Sequence, residues 1–266
     1  MLKKRIIFIL YYGDSNFYLS RNFRLQKVGD YNWLNSNYDF SKISFYIDEL
    51  AVINVSKAPC YEDDFCATLK ELAKKCFVPI AAGGGIRTFE FSKKLLMSGA
   101  DKIILNSVLF ENLPLVEEVC DVFGQQCIVG QLDIRKIDML SYGIYSNSGT
   151  FHIDNGFQRV EKLDFTGLVG EWILNSIERD GTGQGFDFDM LNMFSRNISS
   201  PLIISGGAGN ASHLVSGLKN SRVDAVATAH LYNFIGDGLS NARKIILNSG
   251  IRLASWPKID IDFLTA

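Results

Sequence analysis

Two glycine clusters are the first places where this chain could do chemistry. Gly83-Gly84-Gly85 follows the apolar run "VPIAA", and Ser205-Gly206-Gly207-Ala208-Gly209 follows "PLII". Glycine lets backbone N–H groups come close to an anion, and the start of a following helix adds partial positive charge, so each cluster is a candidate phosphate cradle. The plainer alternative is a pair of tight turns that need positive φ. Polar residues recur nearby: Asn106 and Ser107 beside the first cluster, Asp180-Gly181-Thr182 beside the second, and Thr228 and His230 at the end of a later apolar run. The clusters occupy equivalent positions in the two halves of the chain, which favours a ligand with two phosphates held at opposite sides of one site. A third place is the end of "RIIFILYYGDSN", where Tyr11 and Tyr12 stand just before Gly13-Asp14. If this run is the first strand of a barrel, its end is where chemistry would sit.

The elements that must position these residues alternate along the chain. Strands are predicted at 5–11, 49–55, 79–82, 102–106, 127–133, 171–176, 201–205 and 225–228. Their apolar runs are unbroken, as expected of parallel strands buried on both faces. Helical patterns lie between them at 62–75, 88–98, 114–123, 189–196, 211–218 and 238–248. Eight strands with intervening helices predict an α/β fold, a single (β/α)₈ TIM barrel over residues 1–266. The second half also echoes the first. "DELAVINV" at Asp48 matches "GEWILNSI" at Gly170, 122 positions later, and "PIAAGGGI" at Pro79 matches "PLIISGGAG" at Pro201 at the same spacing. "ADKIILNS" at Ala100 resembles "VDAVATAH" at Val223, 123 positions on. Three ordered matches predict two half-barrels, about 1–122 and 123–248. The segment 136–154 reads as a small hairpin over the mouth, and 15–32 is a second insert after strand one.

Composition narrows the function classes. Among 266 residues, 27 basic side chains face 29 acidic ones, so nothing favours nucleic acid or an anionic membrane as partner. The five cysteines (Cys60, Cys66, Cys76, Cys120, Cys127) form no C-x-x-C pair and suggest a reduced, cytoplasmic setting. His152, His213 and His230 share no ligand-like spacing with them, so neither a metal nor a cofactor is expected. No apolar run approaches the roughly 20 residues needed to span a bilayer. The opening "MLKKRIIFILYY" reads as a buried strand, since no small-residue cleavage site follows it.

The quoted segments "MLKKRII", "IDEL", "VPIAAGGGIR", "SGADKIILNS", "NSIERDGTGQGFD" and "PLIISGGAG" resemble, in order and over nearly the whole chain, the cyclase subunit of imidazole glycerol phosphate synthase. The resemblance implies a barrel with two phosphate sites and a class I glutaminase docked on the strand N-terminal face. Ammonia would pass through the barrel to the opposite mouth. It also implies two aspartates as acid and base, one ending strand one and one ending strand five. Paired carboxylates suit such work because unlike environments can separate their pKa values. Asp133, in "IVGQLDIR", matches the strand-five aspartate, but Tyr11 stands where the other should be. The family's lysines after strand one fall at Gly13 and Leu19, an aspartate ending strand two falls at Asn54, and His230 takes the place of a serine. At the other end, Arg5, Glu49, Lys102 and Glu171 match the family's charged gate over the ammonia channel. The plainer reading is ordinary bottom-layer charge on a barrel.

The resemblance therefore predicts phosphate contacts at Gly84, Gly85, Asn106, Ser107, Asp180, Gly181, Thr182, Gly206, Gly207 and Thr228, with Asp133 as the remaining catalytic carboxylate. It extends to paralogues of surface-polysaccharide pathways, in which glutaminase and barrel supply ammonia to a sugar amidotransferase. The expected function is that glycosyl amidation, with the glutaminase, a sugar amidotransferase and a phosphorylated small molecule as partners. Two alternatives stay open: an authentic cyclase in which Asp14 or Asp133 compensates, and a non-catalytic scaffold that senses a phosphorylated metabolite.

Overall fold

In a computed structural model, residues 3–56, 62–139, 141–194 and 197–254 are described. Cys60 and the tail of the predicted helix at 195–196 lie outside them. Eight parallel strands close into a barrel: β1 (Arg5–Gly13), β2 (Glu49–Asn54), β3 (Ile80–Gly83), β4 (Lys102–Leu105), β5 (Ile128–Lys136), β6 (Glu171–Ser176), β7 (Leu202–Ser205) and β8 (Ala225–Thr228). Each pairs with its neighbours in sequence; β8 pairs with β1, and Asn175 on β6 faces Asp133 on β5. The fold is a (β/α)₈ TIM barrel.

The unbroken apolar runs follow from burial on both faces. On β1, Ile6, Phe8, Leu10 and Tyr12 join the core between sheet and helices, whereas Ile7, Ile9 and Tyr11 join the core inside the barrel. A strand turns successive side chains to opposite faces, so the two adjacent tyrosines part company. Tyr12 points outward, stacks on Phe65 at 5.6 Å between ring centres and donates its hydroxyl to Asp64. Tyr11 points in.

The halves also correspond in detail. Asp101 accepts from the N–H of Ile80 (2.8 Å), and Asp224 does the same for Leu202 (3.0 Å). Thr88 caps the helix Phe89–Met97 by accepting from Phe91, and Asn210 caps Ala211–Lys219 by accepting from His213. These four groups sit 122 or 123 residues from their counterparts, so the repeat seen in the letters recurs in the hydrogen bonds.

Two antiparallel inserts rise above the strand C-terminal ends. After β1 the chain turns back as Asn16–Arg21 and Arg24–Gly29, and after β5 as Tyr142–Ser146 and Phe151–Ile153. The first turns through Asp14-Ser15 and again through Asn22-Phe23, all four residues with positive φ, as tight two-residue hairpin turns require. The helix predicted at 189–196 is instead a short 3₁₀ stretch, Asp189–Met193. A full helix, Gly156–Phe165, follows the second hairpin and buries Val160 and Leu163.

Candidate functional site

The barrel's two ends carry different chemistry. At the strand N-terminal end, Arg5, Glu49, Lys102 and Glu171 form a closed ring of ion pairs. Arg5 meets Glu49 at 3.1 Å and also pairs with Glu171; Lys102 meets Glu49 at 3.0 Å and Glu171 at 2.5 Å. The strand starts of β1, β2, β4 and β6 place them there, since each is the first residue of its strand and continues the inward-facing series. The ring is neutral, with two charges of each sign. Burial raises the Glu49 carboxyl pKa, its cationic neighbours notwithstanding. Burial acts the same way on Glu171, but its contacts with Arg5 and Lys102 outweigh it and leave that carboxyl below its usual value.

At the mouth, Asp133 is buried and ringed by amides. Asn106 donates to one carboxylate oxygen (2.8 Å), while Gln131 and Asn175 donate to the other (3.1 Å each). Burial pushes its pKa up to about 6, against the downward pull of those three donors; the negative charge of Asp180 adds to the rise. A carboxyl poised there can give or take a proton near neutrality. Tyr11 shares this site. Burial first, then the charges of Asp180 and Asp133, raise its phenol well above the ordinary value. It stays protonated at any ordinary pH and can donate a hydrogen bond but not act as a base.

Two cavities open above this floor. One, about 790 Å³, is lined by Tyr11, Asn54, Gly84, Gly85, Asn106, Ser107, Gln131, Asp133 and Asn175, with Arg87 at its edge. The other, about 730 Å³, is lined by Tyr11, Asp180, Gly181, Gly206, Gly207, Thr228 and His230, with Arg21 and Arg24 from the first hairpin. The glycines are required by backbone geometry in both. Gly84 (φ +95°) and Gly206 (φ +88°) would each drive a Cβ into the carbonyl of the preceding strand's end, Asn54 at 2.0 Å and Ser176 at 2.7 Å. Gly85 and Gly207 also have positive φ. Tight turns and open cradles are thus the same residues here, and the turns alone would account for them.

Three predicted residues take positions of a different kind. Asp180 lines the second cavity, but its carboxylate accepts from the Ser20 hydroxyl and from the N–H of Phe23 (3.0 Å), so it anchors the first hairpin across the mouth. Thr182 turns its hydroxyl onto the Arg179 carbonyl (2.8 Å) and lines neither cavity. Asp14, the candidate replacement carboxylate, stands on the exposed hairpin turn, away from both cavities. Residues that sequence reasoning did not single out fill the gap: Gln131 and Asn175 on Asp133, and Ser20, Arg21, Arg24 and Leu25 on the hairpin. Gln131 lies two residues from Asp133 on the same strand and Asn175 directly across from it, so strand alternation and register held the signal. The hairpin residues had none. Among the described residues, no group of three His, Cys, Asp or Glu could hold a metal ion, and no helix is long and apolar enough to cross a membrane.

Comparison with known proteins agrees with this geometry. The family model described as histidine biosynthesis protein matches residues 39–234. A protein of Parasynechococcus marenigrum provisionally named imidazole glycerol phosphate synthase subunit hisF2 is 43% identical over 262 residues, covering 97% of this chain and 96% of its own length. Proteins named imidazole glycerol phosphate synthase subunit HisF are 32% identical: one from Streptococcus gordonii over 258 residues, 95% of this chain and 99% of its own, and one from Leptospira biflexa over 209 residues, 77% and 81%. Likeness of this extent, over nearly the whole chain, places it in the histidine biosynthesis family as a member of the HisF cyclase-subunit group of imidazole glycerol phosphate synthase.

Proposed function

We propose that this barrel receives ammonia from a glutaminase docked on its strand N-terminal face and delivers it to the mouth, for amidation of a sugar in surface-polysaccharide synthesis. The observation that carries the reading is the closed ring of Arg5, Glu49, Lys102 and Glu171 beneath a mouth in which Tyr11 stands where the resemblance expects an aspartate. Four charges drawn largely out of water cost free energy that a purely structural barrel floor of apolar residues would not. Their retention fits a passage that must be guarded. Around the same end, Phe77, Met97, Val122 and Phe165 are exposed, the last at 92%. Each lies in a segment leading into a strand, and exposed apolar side chains gathered at one end suit a protein partner.

Each cradle suits a phosphate group: Asn106, Ser107, Gly84 and Gly85 on one side, and Gly206, Gly207 and Thr228 on the other. The test combines two measurements. Mixed with its glutaminase, the chain should co-elute and raise glutamine hydrolysis. Supplied with the imidazole-forming substrate and excess ammonium, it should show no significant turnover. Elution alone with unchanged hydrolysis would remove the ammonia role.

A second reading, a cyclase that works with one carboxylate, is favoured by the poise of Asp133 near neutrality. Robust turnover in wild type that is lost in Asp133→Asn and indifferent to Tyr11→Phe would establish it. Collapse in Tyr11→Phe would make the phenol a catalytic acid.

A further inference from the structure

We infer that Tyr11 and the first hairpin divide the mouth into two separate anion compartments, so that the protein takes two small singly phosphorylated ligands in place of one ligand with a phosphate at each end. The inference rests on the reading of the glycine turns as cradles. Three residues line both cavities: Tyr11, Ser20 and Leu25. Tyr11 rises from the inner face of β1, and Ser20 and Leu25 come from the hairpin above it. Floor and roof thus contribute to the same wall.

The wall is held in place from both sides. Below, Tyr11 packs in the inner core with Ile7, Ile9 and Ile53. Above, Ser20 and Phe23 bond the carboxylate of Asp180, Asn22 donates its side-chain amide to the carbonyls of Ile177 (3.2 Å) and Glu178 (2.8 Å), and the N–H of Asn22 donates to the carbonyl of Asp180 (3.0 Å). The hairpin is thereby fastened to the end of β6.

Each compartment is complete in itself. Volumes of about 730 and 790 Å³ fall within the range of small-molecule sites, roughly 300–1,000 Å³. Each has its own glycine turn and its own arginine: Arg87 on the Asp133 side, Arg21 and Arg24 on the His230 side. Their polar character differs. On the Asp133 side, the buried amide oxygens of Asn106 and Asn175 have no hydrogen-bond partner among the described residues. Unpartnered buried acceptors favour a ligand that brings donors, so this compartment fits a phosphomonoester carrying hydroxyl or amino groups. On the other side, His230 is held neutral by burial, and its Nδ1 also lacks a partner.

The test uses calorimetric titration of the full chain with inorganic phosphate, with 1,6-hexanediol and 1,10-decanediol bisphosphates, and with the matching monophosphates. Two phosphates should bind per chain, and each bisphosphate should bind no more tightly than its monophosphate. In Tyr11→Gly one bisphosphate per chain should bind at least about tenfold more tightly than the monophosphate, because joined sites turn the second contact into an intramolecular one. Leu25→Ala, at a partly exposed hairpin position, should move in the same direction without disturbing the barrel. A wild type that binds one bisphosphate tenfold more tightly than the monophosphate overturns the division but leaves the cradles standing. One phosphate per chain overturns the division and leaves only one of the two cradles standing. No phosphate binding overturns both, and variants without any gain remove Tyr11 and Leu25 as the wall.

Discussion

At the scale of single residues, the mouth is governed by a buried acid and a buried phenol. The Asp133 carboxyl has an ordinary value of 3.8 and is raised to about 6 by burial. Its folded-state pKa lies above the unfolded one, so its contribution to stability is fully present below about pH 4 and is lost as pH rises through 6. Asp133→Asn should therefore stabilise the barrel at pH 8 by about 2–3 kcal/mol and change little at pH 4, as thermal unfolding at the two pH values would register. The new amide can be accommodated, because the Asn106 side chain can rotate to offer its unpartnered oxygen. Equal effects at both pH values would mean that Asp133 is ionised at no unusual cost. Tyr11→Asp alone should restore little turnover of the imidazole-forming substrate with ammonium. General acid–base help contributes about 10²–10⁴-fold, but on the resemblance Gly13, Leu19 and Asn54 also stand where other residues are expected. Recovery within tenfold of an authentic cyclase would contradict this.

At the scale of elements, the turns and the hairpin carry the geometry. Gly84→Ala places a Cβ 2.0 Å from a backbone carbonyl at a φ of +95°, so the β3 turn must shift. A loss of about 3 kcal/mol or more is expected. Gly236→Ala, with φ +59° and nothing within 4 Å, should cost only about 1–2 kcal/mol. Chemical denaturation of both variants checks the contrast; similar losses would show that the crowding at Gly84 relaxes freely. The first hairpin hangs on Asp180. In Asp180→Ala the hydrogen bonds from Ser20 and Phe23 are lost. Trypsin should then cut at Arg21 and Arg24 about tenfold faster, in line with roughly 1–3 kcal/mol for removing a charged acceptor. An unchanged rate would mean the Asn22 contacts alone fasten the hairpin. These elements also mark how far the sequence was legible. The barrel strands, the glycine turns and the helix 62–75 were readable because apolar runs, glycines and helical periods are local signals. The landing of the hairpin on β6 was not, because Ser20 and Asp180 are 160 residues apart and polar residues carry no period that would pair them.

At the scale of the whole molecule, the barrel carries a closed ring of four charges at one end and a buried acid beside a buried phenol at the other. Lys102→Met breaks two partly buried ion pairs and leaves Glu49 and Glu171 short of a cation. It should destabilise the barrel by about 1–3 kcal/mol, between the exposed and fully buried cases, and, in the complex, reduce ammonia delivery to the mouth more than glutamine hydrolysis. Comparing product formed from glutamine with product formed from added ammonium separates the two effects. Equal losses with both nitrogen sources would make the ring a structural feature only. The amino-acid sequence by itself determined the eight-stranded barrel and put Arg5, Glu49, Lys102 and Glu171 at strand starts. Burial on both faces writes itself as unbroken apolar runs, and a barrel puts every strand start at one end. Only the tertiary structure decided that the four charges close on one another, that Tyr11 turns inward while Tyr12 turns out, and that burial lifts the Asp133 carboxyl towards neutrality against the pull of Asn106, Gln131 and Asn175. Those outcomes depend on closure and register between distant strands, and on burial from water, which no single segment of the chain contains.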